Sequence, residues 1–580
     1  MAIYDYKDMN AEAVKQLFND SYGVVRYTQY LIDAPEAGWK QLSAQTLNHQ
    51  GPTDQRGTYY GEQSSVATAQ AEVLGQYDDA GNLIKIGIGF RGTGGPSEAG
   101  IQDYLNDFKN NFQAAFDPKG FGTDYTYLAF GNLLSSVASY ASQHGLTGED
   151  ITIAGASLGG MAVNSMADLS ERRWDGFYKD SNYVGVVSPS ISETHKVLNL
   201  GAENDPVYRL MGNGELTWAS LGAHDSTNDM TTDNIISFNN HYASFWQNLL
   251  PHSVFNPLSW LVHDPAEIAA YLKRVADSEL YDLTHEDSTI IVSSLGSDAR
   301  SNTWVEDLGR YGSSHNGPTF ILGTDTDDLL RGGAGNDYLE GGGGNDTFQT
   351  GGGDNLVLGG QGNNTLDLQG ALNQFQLAYD SAKDGLNDGP DTLYIQDGLG
   401  GISVLSDIGT LTSQESSSNW LYSLFGRKDT VTHSVTIDGL RTDDHMTDYL
   451  HSVNGNANNN QLSATIDGDW LFGKNGDDIL SSDKASVTFV GGNGNDVLNS
   501  QGGGNNTFLF HGNFGQDQVF GFHASDTLKF IGVDTIVDGS DYHSVASEVG
   551  NDTVLNFGAN SVTLVGVGLN SLSSYGVTIA

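Results

Sequence analysis

Apolar positions in the first 318 residues follow two different periods. The segment "AEAVKQLFNDSYGVVRYTQYLI" has apolar residues at three- and four-residue intervals, which predicts an amphipathic helix. The segments "LIKIGIGF" and "EDITIAG" are rich in apolar and β-branched residues, which predicts buried strands, and "LGGMAVNSMADLSERR" has helical spacing again. Helical segments that alternate with buried strands indicate an α/β domain over residues 1–318.

The pattern changes abruptly after residue 318. Glycine and Asp or Asn now recur every nine residues, and a large apolar residue follows each aspartate by two positions. This is the repeat Gly-Gly-x-Gly-x-Asp-x-U-x, where U is apolar, and it predicts a parallel β-roll. A flexible linker would need no apolar residue in a strict nine-residue phase. The phase is set by Asp328, Asp337 and Asp346, followed by Leu330, Leu339 and Phe348.

A second block repeats the signature around Asp469, Asp478 and Asp496. Sequence between the two blocks is rich in strand formers and turn signals but has no repeat. The predicted organisation is therefore a first β-roll, a β-rich spacer, a second β-roll and a C-terminal β segment. Their expected bounds are 319–372, 373–454, 455–515 and 516–580.

The charge balance bears on what these repeats bind. With 26 Lys and Arg against 72 Asp and Glu, the net charge is −46, which argues against a nucleic-acid partner and favours cations. Each repeat aspartate, with carbonyl groups of its own and the adjacent turn, offers the oxygen ligands that calcium prefers. We therefore predict calcium as the cofactor, with these ligands in the rolls: Asp328, Asp337, Asp346, Asp469, Asp478 and Asp496.

A candidate nucleophile lies at the end of a predicted strand. Ser157 is the centre of a Gly-x-Ser-x-Gly motif, which proves little alone in a chain with 74 glycines. The motif stands between "EDITIAG" and "LGGMAVNSMADLS", and a strand, a tight turn and a helix form the setting in which such a serine is exposed as a nucleophile. Ser220 and Ser294 also precede Leu-Gly but lack the preceding glycine. A structural serine at a tight turn is the alternative.

A nucleophilic serine needs a base, an acid and oxyanion donors. The backbone N–H groups of Thr93, in "GIGFRGTGG", and of Leu158 are the expected donors. In a sheet enzyme of this type the acid and then the histidine follow the serine along the chain. Asp205, in the turn "NDPV", is the candidate acid. Spacing does not choose among the downstream histidines, which are His224, His241, His252, His263 and His285.

These segments together resemble the calcium-dependent secreted lipases of Gram-negative bacteria, bacterial lipase subfamily I.3. The likeness runs from "YDYK" through "GFRGT", "SLGGMAVNSMADLS", "ENDPV" and "DSTIIV" to "DTVLNFGANSVTLVGV". It implies an α/β plus all-β architecture, in which an α/β-hydrolase domain precedes RTX β-rolls and a β-sandwich. It also implies Ser157 as nucleophile, Asp205 as acid and His263, in "WLVHDP", as base.

The resemblance implies calcium in the catalytic domain as well. One implied site contains Asp225, Asp233 and Asp287. Another contains Gln70, Asp103 and Asp107, and the i, i+4 spacing of its aspartates in "IQDYLNDFKNNFQAAF" places both carboxylates on one face of a predicted helix. On the residues alone this face is a solvated one; beside the resemblance it indicates a lid held by calcium.

The sequence departs from the family at three places. Ala156 precedes the nucleophile where the family commonly has histidine, and Gly94 stands where serine is frequent. The family's long lid insertion after the first helix is also missing, since only six residues separate Ile32 from Trp39. The amphipathic segment 101–116 is then the remaining predicted cover.

The resemblance implies a secreted, extracellular enzyme that hydrolyses acyl esters at a lipid–water interface. Export by a type I ABC machinery that reads the C-terminus fits the absence of an N-terminal signal pattern and of cysteine. Calcium outside the cell would then couple binding to folding of the rolls. Alternatives left open are a phospholipase A1, a polyester or polyurethane esterase, and a calcium-dependent surface or adhesion protein. A monomer is expected.

Overall fold

The computed structural model divides into two compact units, residues 1–281 with 309–314, and residues 282–308 with 315–580. The residues that the structure describes are 6–7, 9–92, 124–189, 191–192, 194–207, 235–244, 257–284, 288–309, 315, 318–380, 391–416, 427–443, 445–533, 542–572 and 576–579.

The first unit is an α/β domain, as predicted. Its described helices are α1 (Ala11–Thr28), α2 (Tyr125–Gln143), α3 (Leu158–Leu169), α4 (Asn240–Ala243) and α5 (Pro265–Asp277). Its described strands are β1 (Trp39–Gln41), β2 (Tyr59–Tyr60), β3 (Gln70–Tyr77), β4 (Leu83–Phe90), β5 (Ile151–Ala156), β6 (Asn182–Val186), β7 (Val197–Leu200) and β8 (Ile235–Asn239). Short 3-10 helices lie at Ser64–Val66, Gly148–Asp150, Trp174–Gly176 and Pro257–Leu261, and another, Tyr281–Leu283, lies where the units divide.

The sheet of this unit has the order β1-β3-β4-β5-β6-β7, with β2 paired to β3. Strands β4 to β7 are parallel, and β1 and β3 are antiparallel to their neighbours. Helix α1 packs against β4 and β5, and α3 packs against β5 and β6. The buried strands alternate with helices because both faces of a parallel sheet need a cover. Function in such sheets concentrates at the carboxyl ends of the strands.

The predicted helices at Ala11–Thr28 and Leu158–Leu169 and the predicted strands at Leu83–Phe90 and Ile151–Ala156 are confirmed. The predicted helix over 101–116 lies outside the described residues. Helix α1 begins after Asn10, whose side chain accepts a hydrogen bond from the backbone N–H of Ala13. Residues 29–38, which include the six residues between Ile32 and Trp39, contain no helix. Among the described residues, no helix has both the length and the apolar character needed to cross a bilayer.

The second unit consists mainly of strands. In the described residues these are β9 (Thr289–Ser294), β10 (Thr319–Leu322), β11 (Leu329–Arg331), β12 (Asp337–Glu340), β13 (Thr347–Gln349), β14 (Asn355–Leu358), β15 (Asn364–Asp367), β16 (Gln376–Asp380), β17 (Thr392–Gln396), β18 (Ile402–Ser406), β19 (Ile408–Ser416), β20 (Lys428–Thr436), β21 (Gly439–Thr442), β22 (His445–Thr447), β23 (Ser452–Asn454), β24 (Gln461–Ser463), β25 (Trp470–Asn475), β26 (Ile479–Ser482), β27 (Thr488–Asn493), β28 (Val497–Ser500), β29 (Thr507–His511), β30 (Gln516–Phe520), β31 (Thr527–Ile531), β32 (Ala546–Val549), β33 (Asp552–Phe557), β34 (Asn560–Leu564) and β35 (Gly576–Ile579). Helical turns are α6 (Ser297–Arg300), α7 (Leu569–Leu572) and the 3-10 segments Leu372–Gln374 and Tyr542–Ser544.

The nine-residue repeats form the parallel β-roll that the sequence predicts. Strands β10, β12 and β14 pair in one sheet and β11, β13 and β15 in the other, so one turn of the roll contains two repeats. The apolar residues of successive turns stack in register, as Leu330 does on Phe348. Both side chains are fully buried. The apolar phase therefore builds the interior of the roll.

The unrepeated segments continue the rolls instead of separating them. Strands β18 and β19 pair in parallel with β14 and β15, and β30, β31, β34 and β35 extend the sheets of the second roll. The boundary predicted at 318 also differs from the structure, because β9 pairs in parallel with β10. The chain divides at 281/282, and β9 belongs to the second unit with the strands of the first roll.

The two rolls share a core within the second unit. Tyr394 of the spacer packs against Trp470 and Phe472 of the second roll, with ring centroids 5.3 Å apart in each pair. The ammonium group of Lys529 forms a buried ion pair with Asp354. The rolls are therefore joined by both apolar and ionic contacts.

Candidate active site

Ser157 lies in a strained turn between β5 and α3. Its φ of 56° is in the left-handed region that non-glycine residues rarely adopt. A Cβ on Gly155 would lie 2.5 Å from the backbone of Gly159, and one on Gly159 would lie 2.1 Å from the carbonyl oxygen of Phe90. The two glycines of the motif are therefore required by the close approach of strand and helix. This is the strand, tight turn and helix expected from the sequence.

Asp205 follows β7, two strands away from Ser157 in the sheet. It is fully buried, and its Oδ1 atom accepts a hydrogen bond from the backbone N–H of Val207 at 2.8 Å. The neighbouring Asn204 exchanges two hydrogen bonds with the backbone of Ser237 in β8. The carboxylate is thus held at the carboxyl end of the sheet by its own loop and by a second strand.

His263 lies between the 3-10 segment Pro257–Leu261 and helix α5. The side chain of Asp264 caps α5 by accepting from the N–H of Ala266, and Pro265 occupies the first helical position. The backbone N–H of His263 donates to the carbonyl of Trp260, whose ring packs edge-on against the imidazole. This local structure fixes the direction of the histidine ring.

The side chains of Ser157, His263 and Asp205 lie in hydrogen-bond contact, in the arrangement that the sequence predicts for a triad. Nε2 of His263 lies 3.0 Å from Oγ of Ser157, and Nδ1 lies 2.8 Å and 3.0 Å from the two carboxylate oxygens of Asp205. Exposed fractions are 6% for Ser157, 1% for His263 and 0% for Asp205. A nucleophile bonded to a base, with that base bonded to a buried acid, can transfer an acyl group.

The contacts with Ser157 and Asp205 identify His263 among the five histidines that the sequence spacing left as candidates. Of the other candidates, His241 is buried in α4, and His224, His252 and His285 lie outside the described residues. The decoy Ser294 ends β9 in the second unit, and Ser220 is outside the described residues. The choice required tertiary contact, because 58 residues separate His263 from Asp205.

The oxyanion donors are only partly described. Leu158 is the first residue of α3, so its backbone N–H has no acceptor within the helix. Thr93 lies outside the described residues. Gly92 precedes it, and a Cβ there would lie 2.3 Å from the carbonyl oxygen of Ala156 and 3.1 Å from Cβ of Ser157. The backbone at Gly92, directly before Thr93 in the sequence, therefore lies against Ala156 and Ser157.

Most predicted calcium ligands of the catalytic domain lie outside the described residues. These are Asp103, Asp107, Asp225, Asp233 and Asp287. Gln70 is described, and its Oε1 atom accepts hydrogen bonds from Arg91 at 3.0 Å and from the hydroxyl of Tyr30 at 3.2 Å. A guanidinium at that oxygen does not fit a calcium ligand in this conformation. The lid site stays a prediction.

The second roll contains carboxylates that fit a hard cation. One oxygen of Asp478 accepts from the backbone of Asn460, and one oxygen of Asp496 accepts from the backbone of Asp478. The second oxygen of each is buried and has no hydrogen-bond partner. Burial raises the pKa of Asp478 to about 6 and that of Asp496 to about 7. A divalent cation with backbone carbonyl ligands would satisfy these oxygens.

Asp517 extends the same row, although the sequence analysis missed it. Its Oδ1 accepts from the backbone of Asp496 at 2.7 Å, and its Oδ2 is buried without a partner. Burial raises the pKa of Asp517 to about 8. The nine-residue phase concealed it, because 21 residues separate it from Asp496 instead of 18. The preceding "FGQ" and the following Val519 were the signal available.

Asp328 and Asp469, at the starts of the two blocks, have protein partners instead. Asp328 accepts from Ser293 and Thr324 and lies 3.6 Å from the guanidinium of Arg300. Asp469 accepts from His451 and from the backbone and hydroxyl of Thr465. Although burial opposes it, these hydrogen bonds lower the pKa of Asp469. Neither carboxylate has a buried oxygen without a hydrogen-bond partner, as Asp478 has.

The remaining two predicted ligands lie in the first roll. Asp337 is buried, and its Oδ2 accepts from the backbone of Gly333, while Oδ1 of Asp346 accepts from the backbone of Asp328. Burial raises the pKa of Asp337 to about 7. Within the described residues no group of three or more Asp, Glu, His or Cys side chains is arranged around one metal position. A bound cation would therefore rely on backbone carbonyls of the turns.

Comparison with known proteins decides the family. The RTX calcium-binding nonapeptide repeat matches residues 322–357, 332–366 and 454–486, so the repeats indicate calcium binding. Two proteins from Pseudomonas fluorescens named "Lipase" are 43% and 42% identical, over 56% of this chain and over 79% and 84% of their own lengths. The chain belongs to the RTX-type secreted bacterial lipases.

A solved structure extends this lipase assignment to the whole chain. The extracellular lipase LipA from Serratia marcescens is 44% identical, with a TM-score of 0.91 and complete coverage of both chains. The resemblance stated from the sequence is confirmed, as are the α/β domain and the C-terminal region of parallel β-roll sheets. Membership implies a lipid ester as substrate.

Proposed function

We propose that this protein is a secreted, calcium-dependent carboxylic ester hydrolase that cleaves acyl esters of lipids through Ser157, His263 and Asp205. The observation that carries the proposal is the triad itself, with His263 3.0 Å from Ser157 and 2.8 Å from Asp205. An adhesion protein with an idle hydrolase domain would have no need for three buried residues in hydrogen-bond contact.

The reaction follows from the roles of these atoms. Oγ of Ser157 attacks the ester carbonyl carbon while its proton passes to Nε2 of His263. The imidazolium then gives this proton to the departing alcohol, which leaves an acyl group on Ser157. Water activated by His263 attacks the acyl-enzyme and releases the fatty acid. Asp205 keeps the histidine in the tautomer with a proton on Nδ1 and stabilises its charge.

The developing oxyanion needs donors on the other side of the carbonyl. The backbone N–H of Leu158, at the start of α3, is one donor, and that of Thr93 is the second. Removing one such donor lowers the rate roughly 100- to 1000-fold in serine hydrolases. The positive end of the α3 dipole adds to the stabilisation.

Calcium has a structural role in this proposal. Asp478, Asp496 and Asp517 would hold it with turn carbonyls, and a bound cation supplies the positive charge that their buried oxygens lack. The rolls then fold in extracellular calcium after export by a type I machinery. Arg300 and His451 satisfy Asp328 and Asp469 without a metal.

The test compares Ser157→Ala with Ser294→Ala. Both serines precede Leu-Gly, but only Ser157 contacts a histidine. We expect Ser157→Ala to lose hydrolysis of a soluble ester by several orders of magnitude while keeping its circular dichroism and calcium response. Ser294→Ala should keep the rate within about twofold. Retention of more than about a tenth of the activity by Ser157→Ala would contradict the proposal.

Substrate preference among lipid esters is the finer part of the proposal. The same triad serves a triacylglycerol lipase, a phospholipase A1 and a polyester or polyurethane esterase. Parallel assays on triolein, phosphatidylcholine and an aliphatic polyester distinguish them. We expect triacylglycerol hydrolysis, with the other two activities measurable. A preference for phosphatidylcholine over triolein of more than about tenfold would favour the phospholipase A1 alternative.

A further inference from the structure

The oxyanion segment is the backbone at Gly92, which leads to the proposed oxyanion donor Thr93. A network of two arginines and a tyrosine adjoins this segment through Arg91. The guanidinium carbons of Arg91 and Arg56 lie 3.8 Å and 4.0 Å from the ring centroid of Tyr30. Arg91 donates to Oε1 of Gln70 at 3.0 Å, and the Tyr30 hydroxyl donates to the same atom at 3.2 Å. The backbone N–H of Arg91 also donates to the carbonyl of Gln70. Both the side chain and the backbone of Arg91 are therefore fixed.

Tyr30 is held in an unfavourable conformation to make these contacts. Its φ is 60°, which is rare for an aromatic residue and persists only where the surroundings over-determine it. The residue follows α1 and precedes the stretch between Ile32 and Trp39, where the sequence predicts that the family's lid insertion is missing. Its hydroxyl also lies 3.3 Å from that of Thr58, the residue before β2. A strained residue with this many partners indicates that Tyr30 positions the side chains around it, including that of Arg91.

Arg91 is next in sequence to the glycine that touches the nucleophile turn. A side chain at Gly92 would collide with the carbonyl oxygen of Ala156, so the backbone there lies directly against the residue before Ser157. A shift at Arg91 would therefore be transmitted within one residue to Gly92, which precedes the proposed oxyanion donor Thr93 in the sequence.

We infer that Arg91, clamped by Tyr30 and Gln70, is a positioning residue that holds the oxyanion segment against the Ser157 turn. This inference rests on the proposed function. Gln70 then acts through its hydrogen bond to Arg91 and not as a calcium ligand in this conformation. A displacement of about 1 Å at a catalytic group can lower a rate by about 100-fold, so a loosened segment affects turnover more than substrate binding.

Arg56 provides a matched control. It lies over the same Tyr30 ring as Arg91, but it also lies over the Tyr27 ring and contacts the carbonyls of Tyr27 and Ile32, at 2.9 Å and 3.5 Å, and the carboxylate of Glu72, at 3.9 Å. It has no described bond to the strand end that leads to Gly92. Removing it should therefore affect stability without displacing the oxyanion segment.

The experiment measures kcat and KM on a soluble short-chain ester for Arg91→Met, Arg91→Lys, Tyr30→Leu, Tyr30→Phe and Arg56→Met. We expect Arg91→Met and Tyr30→Leu to lower kcat roughly 10- to 100-fold with KM within about threefold. Arg91→Lys and Tyr30→Phe should recover part of the loss, because each keeps a charge or a ring. Arg56→Met should keep kcat within about twofold, with a lower thermal midpoint.

Calcium concentration separates this role from a metal site at Gln70. The kcat loss of Arg91→Met should be the same at about 0.1 mM and 10 mM calcium, because it does not arise from a missing ligand. Recovery of kcat at high calcium, or an equal kcat loss in Arg56→Met, would overturn the inference. So would an Arg91→Met variant with unchanged kcat while the wild-type protein reacts with a serine-directed phosphonate. Absence of that reaction in the wild-type protein would instead refute the proposed function.

Discussion

The substitution Asp205→Asn tests whether Asp205 sets the tautomer of His263 in the proposed triad. The carboxylate contacts Nδ1 of His263 through both oxygens, at 2.8 Å and 3.0 Å, and it is fully buried. An amide of the same size keeps the packing but presents N–H donors towards Nδ1. The ring then favours the tautomer with its proton on Nε2, which cannot accept the proton of Ser157. Loss of the correct tautomer lowers kcat about 10⁴-fold in such triads, or about 5 kcal/mol in the barrier.

Asp264→Asn is the matched control for this effect. Asp264 is adjacent to His263 and carries the same charge, but its side chain accepts from the N–H of Ala266 at the start of α5. Asparagine is an equally good helix cap, so stability should be unchanged. Initial rates on a water-soluble p-nitrophenyl ester below its solubility limit provide the assay. An Asp205→Asn rate within tenfold of wild type, or an equal loss in Asp264→Asn, would refute the reasoning.

Three further predictions concern the rolls and the cover of the site. Removal of calcium by a chelator should inactivate the protein and increase hydrogen exchange at residues 478–520 before residues 151–169, since the buried carboxylates of the second roll repel one another without calcium. Simultaneous exchange of both regions would contradict this. Rates on a partly soluble ester should rise smoothly through its solubility limit, because the sequence predicts that the family's lid insertion is missing between Ile32 and Trp39, so that less apolar area, at about 25 cal/mol per Å², is exposed on opening. A sharp jump at saturation with negligible rate below it would contradict weak interfacial activation. Lys529→Met should lower the free energy of unfolding of the second unit by about 3–5 kcal/mol in a urea titration, because Asp354 is left as a buried unpaired charge. Lys484→Met, at an exposed ion pair, should have no measurable effect in the same titration. Equal midpoints for the two variants would show that the buried pair is not needed.

The fold could be predicted well where a local pattern determines the structure. The helix at Ala11–Thr28 and the strand at Leu83–Phe90 follow from apolar spacing, and the roll follows from a nine-residue phase that only one architecture uses. Domain bounds were less predictable. Strand β9 has the composition of an α/β strand, and only its pairing with β10 assigns it to the roll. Pairing over long sequence distances leaves no local signal.

The candidate site likewise contains residues that a local pattern predicts and residues that depend on tertiary contacts. Ser157 was predictable because the turn imposes glycine at two nearby positions, whereas the partnership of His263 with Asp205 depends on the sheet. In the rolls, an aspartate in phase predicted a calcium ligand equally at Asp469 and Asp478. Local donors at Thr465 and His451 distinguish the two, and donors are not part of the repeat pattern.

Covalent labelling of the nucleophile tests the central claim most directly. The wild-type protein is treated with one equivalent of a p-nitrophenyl alkylphosphonate, and intact mass, peptide mapping and residual ester hydrolysis are measured on the same sample. The account predicts a single adduct on Ser157, loss of hydrolysis in proportion to labelling, and no adduct in Ser157→Ala. Full hydrolysis by labelled protein, or an adduct on another residue that accounts for the inactivation, would contradict it.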